Sequence, residues 1–379
     1  MNEIKAVEAV NRESRRTEPV KARKPRYQPR RMVSLPQDVL DLGNHYEDEM
    51  EKLTGEAARM KNEHNAVKYN VADPVKLMRV DEVRKEYGLT GKGVTVGVID
   101  SGFNYPEAEP VAWKDFVEGA DRPFDPHGHG THVTGDILNI APGAKFVSLR
   151  TAPISGQDKH TDNAKALRWA VQNKEKYGID IINMSLGDPP QLTPLTAPPY
   201  FIRYINPGKQ AVEEAVEAGI TVVIAAGNDG RRGKYTICEA ADDDKAISVA
   251  SSLNDKTVSG FSSRGLTLEG RDKPDIAAPG ENISSWASQG SVMARRSPSP
   301  KPGYIISQGT SFASPHVAGV SALLKEADPT LTPAEIKEIL QATARPMAVA
   351  FGPEDRGAGF VDAKAAVDEV MRRKQARKA

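Results

Sequence analysis

Gly93-Val-Thr-Val-Gly-Val-Ile-Asp100, followed at once by Ser101-Gly102, is an apolar run of strand length that ends on a carboxylate and a turn. Comparable runs recur at Lys145–Leu149, Ile179–Met184, Thr221–Ala226 and Ala246–Ala250. Helical patterns lie between several of them, at Asp162–Lys176 and Lys209–Ala218. Apolar strands alternating with helices predict an α/β fold, a three-layer α/β/α domain whose mainly parallel sheet is covered on both faces. In such sheets functional groups collect at the carboxyl ends of the strands. Asp100 and Asn228 each follow directly on an apolar run, which makes them candidates of that kind.

Outward from this core the grammar changes. Residues 1–31 are polar and basic, with Pro19, Pro25 and Pro29 interrupting any helix, and are expected to be disordered. From Pro36 to Lys61 a charged helix is expected, weakened by Gly43 and Gly55. The chain therefore divides into a basic extension, residues 1–71, and a catalytic-type domain, residues 72–379. Near the other end, Ser311-Phe-Ala-Ser-Pro-His-Val-Ala-Gly-Val-Ser-Ala-Leu-Leu-Lys325 is apolar on most faces and predicts a buried helix. Pro315 is tolerable there because it falls in the first turn, where backbone N–H groups have no partner within the helix. Thr332-Pro-Ala-Glu335 has the spacing of a capping box.

Bulk properties exclude several classes of function. Lys plus Arg number 51 against 51 Asp plus Glu, so no global field draws the chain to nucleic acid or to an anionic membrane. One cysteine, Cys238, excludes an intramolecular disulfide and suits a reducing compartment. The first residues carry charges throughout, without an apolar core or a small-residue cleavage site, so no secretory signal is expected. No apolar run approaches the roughly 18 residues of a membrane span. The expected location is the cytoplasm.

Three segments carry the chemistry: Val98-Ile-Asp100-Ser-Gly102, His129-Gly-Thr-His132-Val-Thr-Gly135 and Gly309-Thr-Ser311-Phe-Ala-Ser-Pro315. Acyl transfer from a serine needs a base to take its proton and a carboxylate to fix that base's tautomer. It also needs donors for the oxyanion. A serine at the start of a buried helix is well placed, since unpaired N–H groups and the helix dipole favour developing negative charge.

These segments, in the order Asp, His, Ser, resemble those of the subtilisin (subtilase) family of serine peptidases, a chain order documented for subtilisin itself. Ser185-Leu-Gly187, Ala225-Ala-Gly-Asn228-Asp-Gly230, Phe261-Ser-Ser-Arg264-Gly and Asp275-Ile-Ala-Ala-Pro279-Gly extend the likeness over roughly residues 75–370. Thr90-Gly-Lys-Gly-Val94 and Gly357-Ala-Gly-Phe-Val-Asp362 are most similar to the intracellular AprX-like branch. The resemblance implies a subtilisin-like fold and a serine endopeptidase working on proteins or peptides through an acyl-enzyme. It implies Ser311 as nucleophile, His129 as general base and Asp100 as its orienting carboxylate. It further implies an oxyanion hole from the Asn228 amide and the Ser311 N–H. Ser185, Leu186 and Gly187, and Ala225, Ala226 and Gly227, would wall the S1 pocket, and backbone near Ser155 and Gly156 would pair with extended substrate.

Competing readings weigh less. His127, His129 and His132 lie close in sequence, but no cysteine and no further ligand motif accompanies them, so no metal site is expected. His132 is read as a hydrogen-bonded core histidine and His127 as structural or solvent-facing. A buried inert thiol is the preferred reading of Cys238 over a wall or floor of S1. Asp242-Asp243-Asp244 is preferred as a charged turn over a cation site. A silent fold used only for binding, and nucleic-acid binding through the basic tail, are the rival functions. The sequence also departs from the resemblance. Gly135-Asp-Ile-Leu-Asn-Ile-Ala-Pro142 passes straight to the next strand, leaving no room for the usual calcium loop, so no cofactor and no tight calcium site is expected. Residues 1–71 lack the usual prodomain pattern, yet remain a candidate for intramolecular inhibition. Pro189–Pro207 and Ser288–Gly303 read as insertions flanking the cleft.

Overall fold

Short helices α1 (Pro74–Leu77) and α2 (Val80–Tyr87) lead into β1 (Thr95–Asp100), whose residues are all buried. The computed structural model describes residues 71–156, 160–187, 207–267, 269–348 and 353–377. These belong to a unit spanning Tyr69–Ala379. The expectations for residues 1–70, including the charged helix, lie outside the described residues, as does nearly all of the proline-rich segment 189–207.

Six further strands join β1: β2 (Ala112–Asp115), β3 (Lys145–Arg150), β4 (Ile179–Met184), β5 (Thr221–Ala225), β6 (Ile247–Ser252) and β7 (Ile276–Pro279). Their order is β2-β3-β1-β4-β5-β6-β7, and every neighbouring pair runs parallel. Connections long enough for parallel pairing come from α3 (His129–Ile140), α4 (His160–Gln172), the single turn α5 (Lys174–Tyr177) and α6 (Pro207–Glu217). A separate antiparallel pair, β8 (Ile283–Trp286) and β9 (Tyr304–Ser307), brackets α7 (Val292–Arg296). The chain then runs through α8 (Thr310–Ala327), α9 (Pro333–Ala342) and α10 (Ala363–Ala376).

Both sheet faces are covered. On one, Val96 and Val98 pack with Val133 and Ile137 of α3, Val317 and Val320 of α8 and Val367 of α10. On the other, Ile99, Leu149, Ile182 and Ile224 pack with Leu167 of α4 and Val212 of α6. Each such side chain, fully buried, contributes about 1.5–3 kcal/mol. The layers are therefore α/β/α, as in the subtilisin-like fold expected. Pro315 is not in the first turn as expected but inside α8, which already begins at Thr310, and the Ser311 carbonyl that its missing N–H leaves free accepts the Ser185 hydroxyl instead. The predicted capping box of α9 forms, with Thr332 and Glu335 bonded in both directions.

The sheet order places the site. β1 has β3 on one side and β4 on the other, so the connections leaving this part of the sheet diverge at its carboxyl end. That divergence opens a crevice where an open α/β sheet binds its ligands. Asp100 is the last residue of β1 and stands in register with Arg150 of β3. Arg150 is itself buried, paired with Asp115 at 3.0 Å and lying over the Phe124 ring.

Candidate active site

Asp100 ends β1 almost wholly buried, and its Oδ1 accepts the Ser101 N–H at 2.7 Å. The same oxygen lies 2.7 Å from His129 Nδ1. His129 opens α3 directly after Gly128, whose φ of 97° is a left-handed conformation. A Cβ at Gly128 would also lie 2.4 Å from Ser291 Oγ, so glycine is required on both counts. Burial disfavours the His129 imidazolium, but the charge and hydrogen bond of Asp100, with the charges of Asp125 and Asp136, raise its proton affinity above the ordinary histidine value.

Ser311 is brought to the same cleft by α8, whose first turn begins at Thr310 after Gly309. Its hydroxyl donates to the Ser185 carbonyl at 2.9 Å, so in this structure it is turned toward β4 rather than toward His129 Nε2. Ser185 returns the contact, its own hydroxyl donating to the Ser311 carbonyl at 2.7 Å and accepting from the Asn183 amide. Phe312, the next residue, packs its ring against His129 at 5.3 Å and against His132 at 4.4 Å.

Asn228, past the end of β5, is oriented by a residue to which the sequence assigned no role. Its Oδ1 accepts the Thr310 N–H at 3.0 Å and the Thr310 hydroxyl at 3.1 Å, while Thr310 Oγ1 accepts the Gly227 N–H. With its oxygen engaged, the Asn228 amide has its Nδ2 donor left for the cleft. The position of Thr310 between Gly309 and Ser311, in a quoted motif, was the one available signal.

The cleft, of about 300 Å³, is lined by Gly156, Ser185, Leu186, Gly187, Ala225 and Gly227, together with Asp100, His129, Asn228 and Ser311. One expected wall residue stands elsewhere. Ala226 is fully buried in the core on the α4 and α6 side, because successive residues leaving a strand face opposite ways. Ser155, expected to meet substrate through its backbone, is exposed in the turn beside Gly156. One other residue was read differently. His127 lines the cleft against Gly156, and a Cβ on Gly156 would lie 2.7 Å from its Nε2. Burial and the neighbouring His129 lower its proton affinity.

Cys238 is buried, as preferred from the sequence, and it also lines the cleft, as in the alternative reading. A Cβ on Gly187 would approach its Cβ to 2.9 Å, and one on Gly227 its Sγ to 2.6 Å. Its side chain therefore sits between the two predicted pocket walls. Close glycines around a buried side chain leave no pattern in a single sequence, which is why a pocket wall was only the second reading of Cys238.

His132 is buried outside the cleft, its Nδ1 3.0 Å from Asp136 Oδ2, as a core histidine. The segment read as an insertion at 288–303 grips the turn before α3. Val292 and Met293 donate backbone N–H groups to the Pro126 and His127 carbonyls, and the Ser288 hydroxyl donates to the Asp125 carbonyl at 2.7 Å. Asp242 pairs with Arg271 at 2.7 Å, and Asp243 caps the Lys245 N–H, which is the behaviour of a charged turn. Among the described residues, no group of three or more His, Cys, Asp or Glu side chains is arranged to hold a metal ion.

A buried carboxylate on an imidazole, a hydroxyl at a helix N-terminus and an oriented amide donor together fit nucleophilic acyl transfer. Comparison with known proteins agrees. The model of the Subtilase family matches residues 91–370. The chain is 37% identical to serine protease AprX of Bacillus subtilis (strain 168) over 68% of its own length and 63% of that protein's, just short of two thirds of it. It is 33% identical to subtilisin DY of Bacillus licheniformis over 77% of this chain and 97% of that one. Among solved structures, a cold adapted subtilisin-like serine proteinase superposes with a TM-score of 0.56 at 27% identity, over 72% of this chain and 88% of the other. The fold, the cleft and these likenesses converge, and the chain belongs to the subtilase family of serine peptidases.

Proposed function

We propose that the chain is a serine endopeptidase that hydrolyses peptide bonds through an acyl-enzyme, with Ser311 as nucleophile, His129 as general base and Asp100 as the carboxylate that fixes the base. The observation that carries this reading is the 2.7 Å contact of His129 Nδ1 with Asp100 in the cleft that also contains Ser311. With Nδ1–H donated to Asp100, Nε2 keeps a lone pair for the serine proton. Ser311 first leaves the Ser185 carbonyl by rotation of one side-chain torsion between staggered wells. Its oxygen then bonds to the substrate carbonyl carbon while the proton passes to His129. That proton goes on to the leaving amine as the peptide C–N bond breaks. Water repeats the sequence on the ester and releases the acid. The transient oxyanion is met by Asn228 Nδ2 and the Ser311 N–H.

The substrate is an extended protein or peptide segment, passing Ser155 and Gly156 and placing one side chain between the walls at Gly187 and Gly227. Cys238, set between those walls, adds no charge there, which supports a preference for large uncharged side chains, with Asp229 also in the cleft lining. No cofactor enters the scheme. Nor does activity need a cation after the histidine helix, because the link Ala141–Ala144 between α3 and β3 offers no side-chain oxygen. Intramolecular inhibition by residues 1–71 belongs to the same proposal, and a 1–71 peptide added in trans to a chain beginning near Asp73 tests it. The lone thiol supports the cytoplasm as the compartment. The test is Ser311→Ala: hydrolysis of a casein or peptide substrate disappears while melting behaviour stays close to that of the parent. Undiminished turnover by the purified variant contradicts the reading.

A further inference from the structure

We infer that Asp125 is a positioning residue for His129, a second buried carboxylate that ties the turn carrying the base to the end of the strand carrying Asp100. The inference rests on His129 being the general base. Asp125 stands in the turn before α3 and is 3% exposed. Its Oδ1 accepts the Ser101 hydroxyl at 2.9 Å and the Gly128 N–H at 2.7 Å. Its Oδ2 accepts the Thr131 N–H at 2.9 Å and the Thr131 hydroxyl at 2.6 Å. Ser101, next to Asp100, in turn accepts the Gly130 N–H at 2.9 Å.

The donors thus come from two places that must meet for the Asp100–His129 contact to exist. Ser101 belongs to the end of β1, while Gly128, Gly130 and Thr131 surround His129 in sequence. α3 has no side-chain cap from its own N-cap, Gly128, and Asp125 takes that part from three residues upstream. Only a carboxylate fits. Each oxygen receives two donors, whereas an amide in either orientation offers one accepting oxygen and turns N–H against donors on its other side. The partners of Asp125 in these bonds are all neutral, and no ion pair neutralises it among the described residues. Its charge therefore remains to act on the imidazolium formed during catalysis.

The charged and titratable groups acting on His129 are Asp100 from β1, Asp125 from the turn, and Asp136 from α3 itself. His127 lies beside it, with ring centroids 6.0 Å apart, and itself feels Arg296 of α7. Removing the Asp125 charge leaves Asp100 and Asp136 in place, so the His129 proton affinity falls without collapsing.

The experiment measures kcat and KM against pH for the full chain, Asp125→Asn and Ser101→Ala, using one chromogenic peptide. It also follows the His129 titration by NMR in the Ser311→Ala background, which needs no turnover. For Asp125→Asn, kcat is expected to fall roughly 10–100-fold, the scale of a misplaced catalytic group. KM should stay within about threefold, because substrate contacts are untouched. The acid limb and the NMR midpoint should both move down by about half a pH unit or more. A variant that melts lower yet keeps its kcat, acid limb and midpoint shows a fold staple only and overturns the inference. If Asp125→Asn does not fold, Ser101→Ala decides, since it cuts the tie to β1 while sparing both carboxylates. A several-fold lower kcat at unchanged KM supports the inference, and parental kinetics overturns it. Failure of the serine reading would instead appear as hydrolysis surviving Ser311→Ala, whatever Asp125→Asn does to the His129 midpoint.

Discussion

Asn228 illustrates how a single side chain is given one orientation. Its oxygen is held twice by Thr310, so the amide nitrogen is the donor left for the cleft, and under the proposed function it faces the charge that appears on the substrate carbonyl. Charge develops there only in the transition state, so removing the donor should spare binding and slow the chemistry. Asn228→Ala is expected to lower kcat by about 10²–10³ with a smaller change in KM, a magnitude carried over from the corresponding amide in subtilisin. Steady-state kinetics on a peptide substrate checks this, and a kcat within about twofold of the parent would mean another group supplies the donor. At this scale Asp100, His129, Asn228 and Ser311 were legible, because each sits in a short motif whose residue types the chemistry demands. Thr310 and Asp125 were not, because their parts depend on which side chains fold against them. Ala226 shows the converse. A contiguous Ala225-Ala226-Gly227 wall overlooks the alternation of side chains along extended backbone, which turns Ala226 into the core.

Helix α8 carries more than its first turn. His316, one turn beyond Ser311, is buried, with Nδ1 2.9 Å from the Pro279 carbonyl at the end of β7. Burial lowers its proton affinity below the ordinary value of 6.5, so it folds neutral. The sign follows from linkage: below 6.5 the unfolded chain takes up a proton that folded His316 refuses, so stability falls as pH drops. His129 acts in the opposite sense. Its raised affinity adds stability in acid, which is lost as pH rises through the raised value. Thermal melts in the Ser311→Ala background, which avoids autolysis, separate the two. His316→Asn keeps a donor for Pro279 and removes the titration, so its melting temperature should fall less steeply below pH 6.5 than the parent's. Equal slopes would mean that His316 is protonated in the folded protein. Helices α4, α6 and α8 and the buried strands β1, β3, β4, β5 and β6 were legible from periodicity and length, whereas α2 and α10 were not read. The edge strand β2, the short β7 and the β8–β9 pair were not, since runs of four residues are stabilised by their neighbours and not by any pattern of their own.

Across the whole molecule, the site is a product of strand order. Asp100 ends β1, Ser185 follows β4, and Ala225 ends β5, so adjacent parallel strands bring three distant segments to one edge of the sheet. α3 and α8 then set His129 and Ser311 over that edge from one face, where they pack together with β1. An α/β class was readable from alternating strands and helices. The placement of β1 between β3 and β4 was not, because strand order is fixed by crossovers that leave no local mark. The account as a whole claims that this assembly makes Ser311 a nucleophile. The most direct measurement is to treat the full chain with a fluorophosphonate, digest it, and locate the adduct by mass spectrometry. The account predicts one adduct, on Ser311, that disappears when His129 is replaced by alanine. An actively hydrolysing protein with no adduct, or with its adduct on another residue, would contradict it.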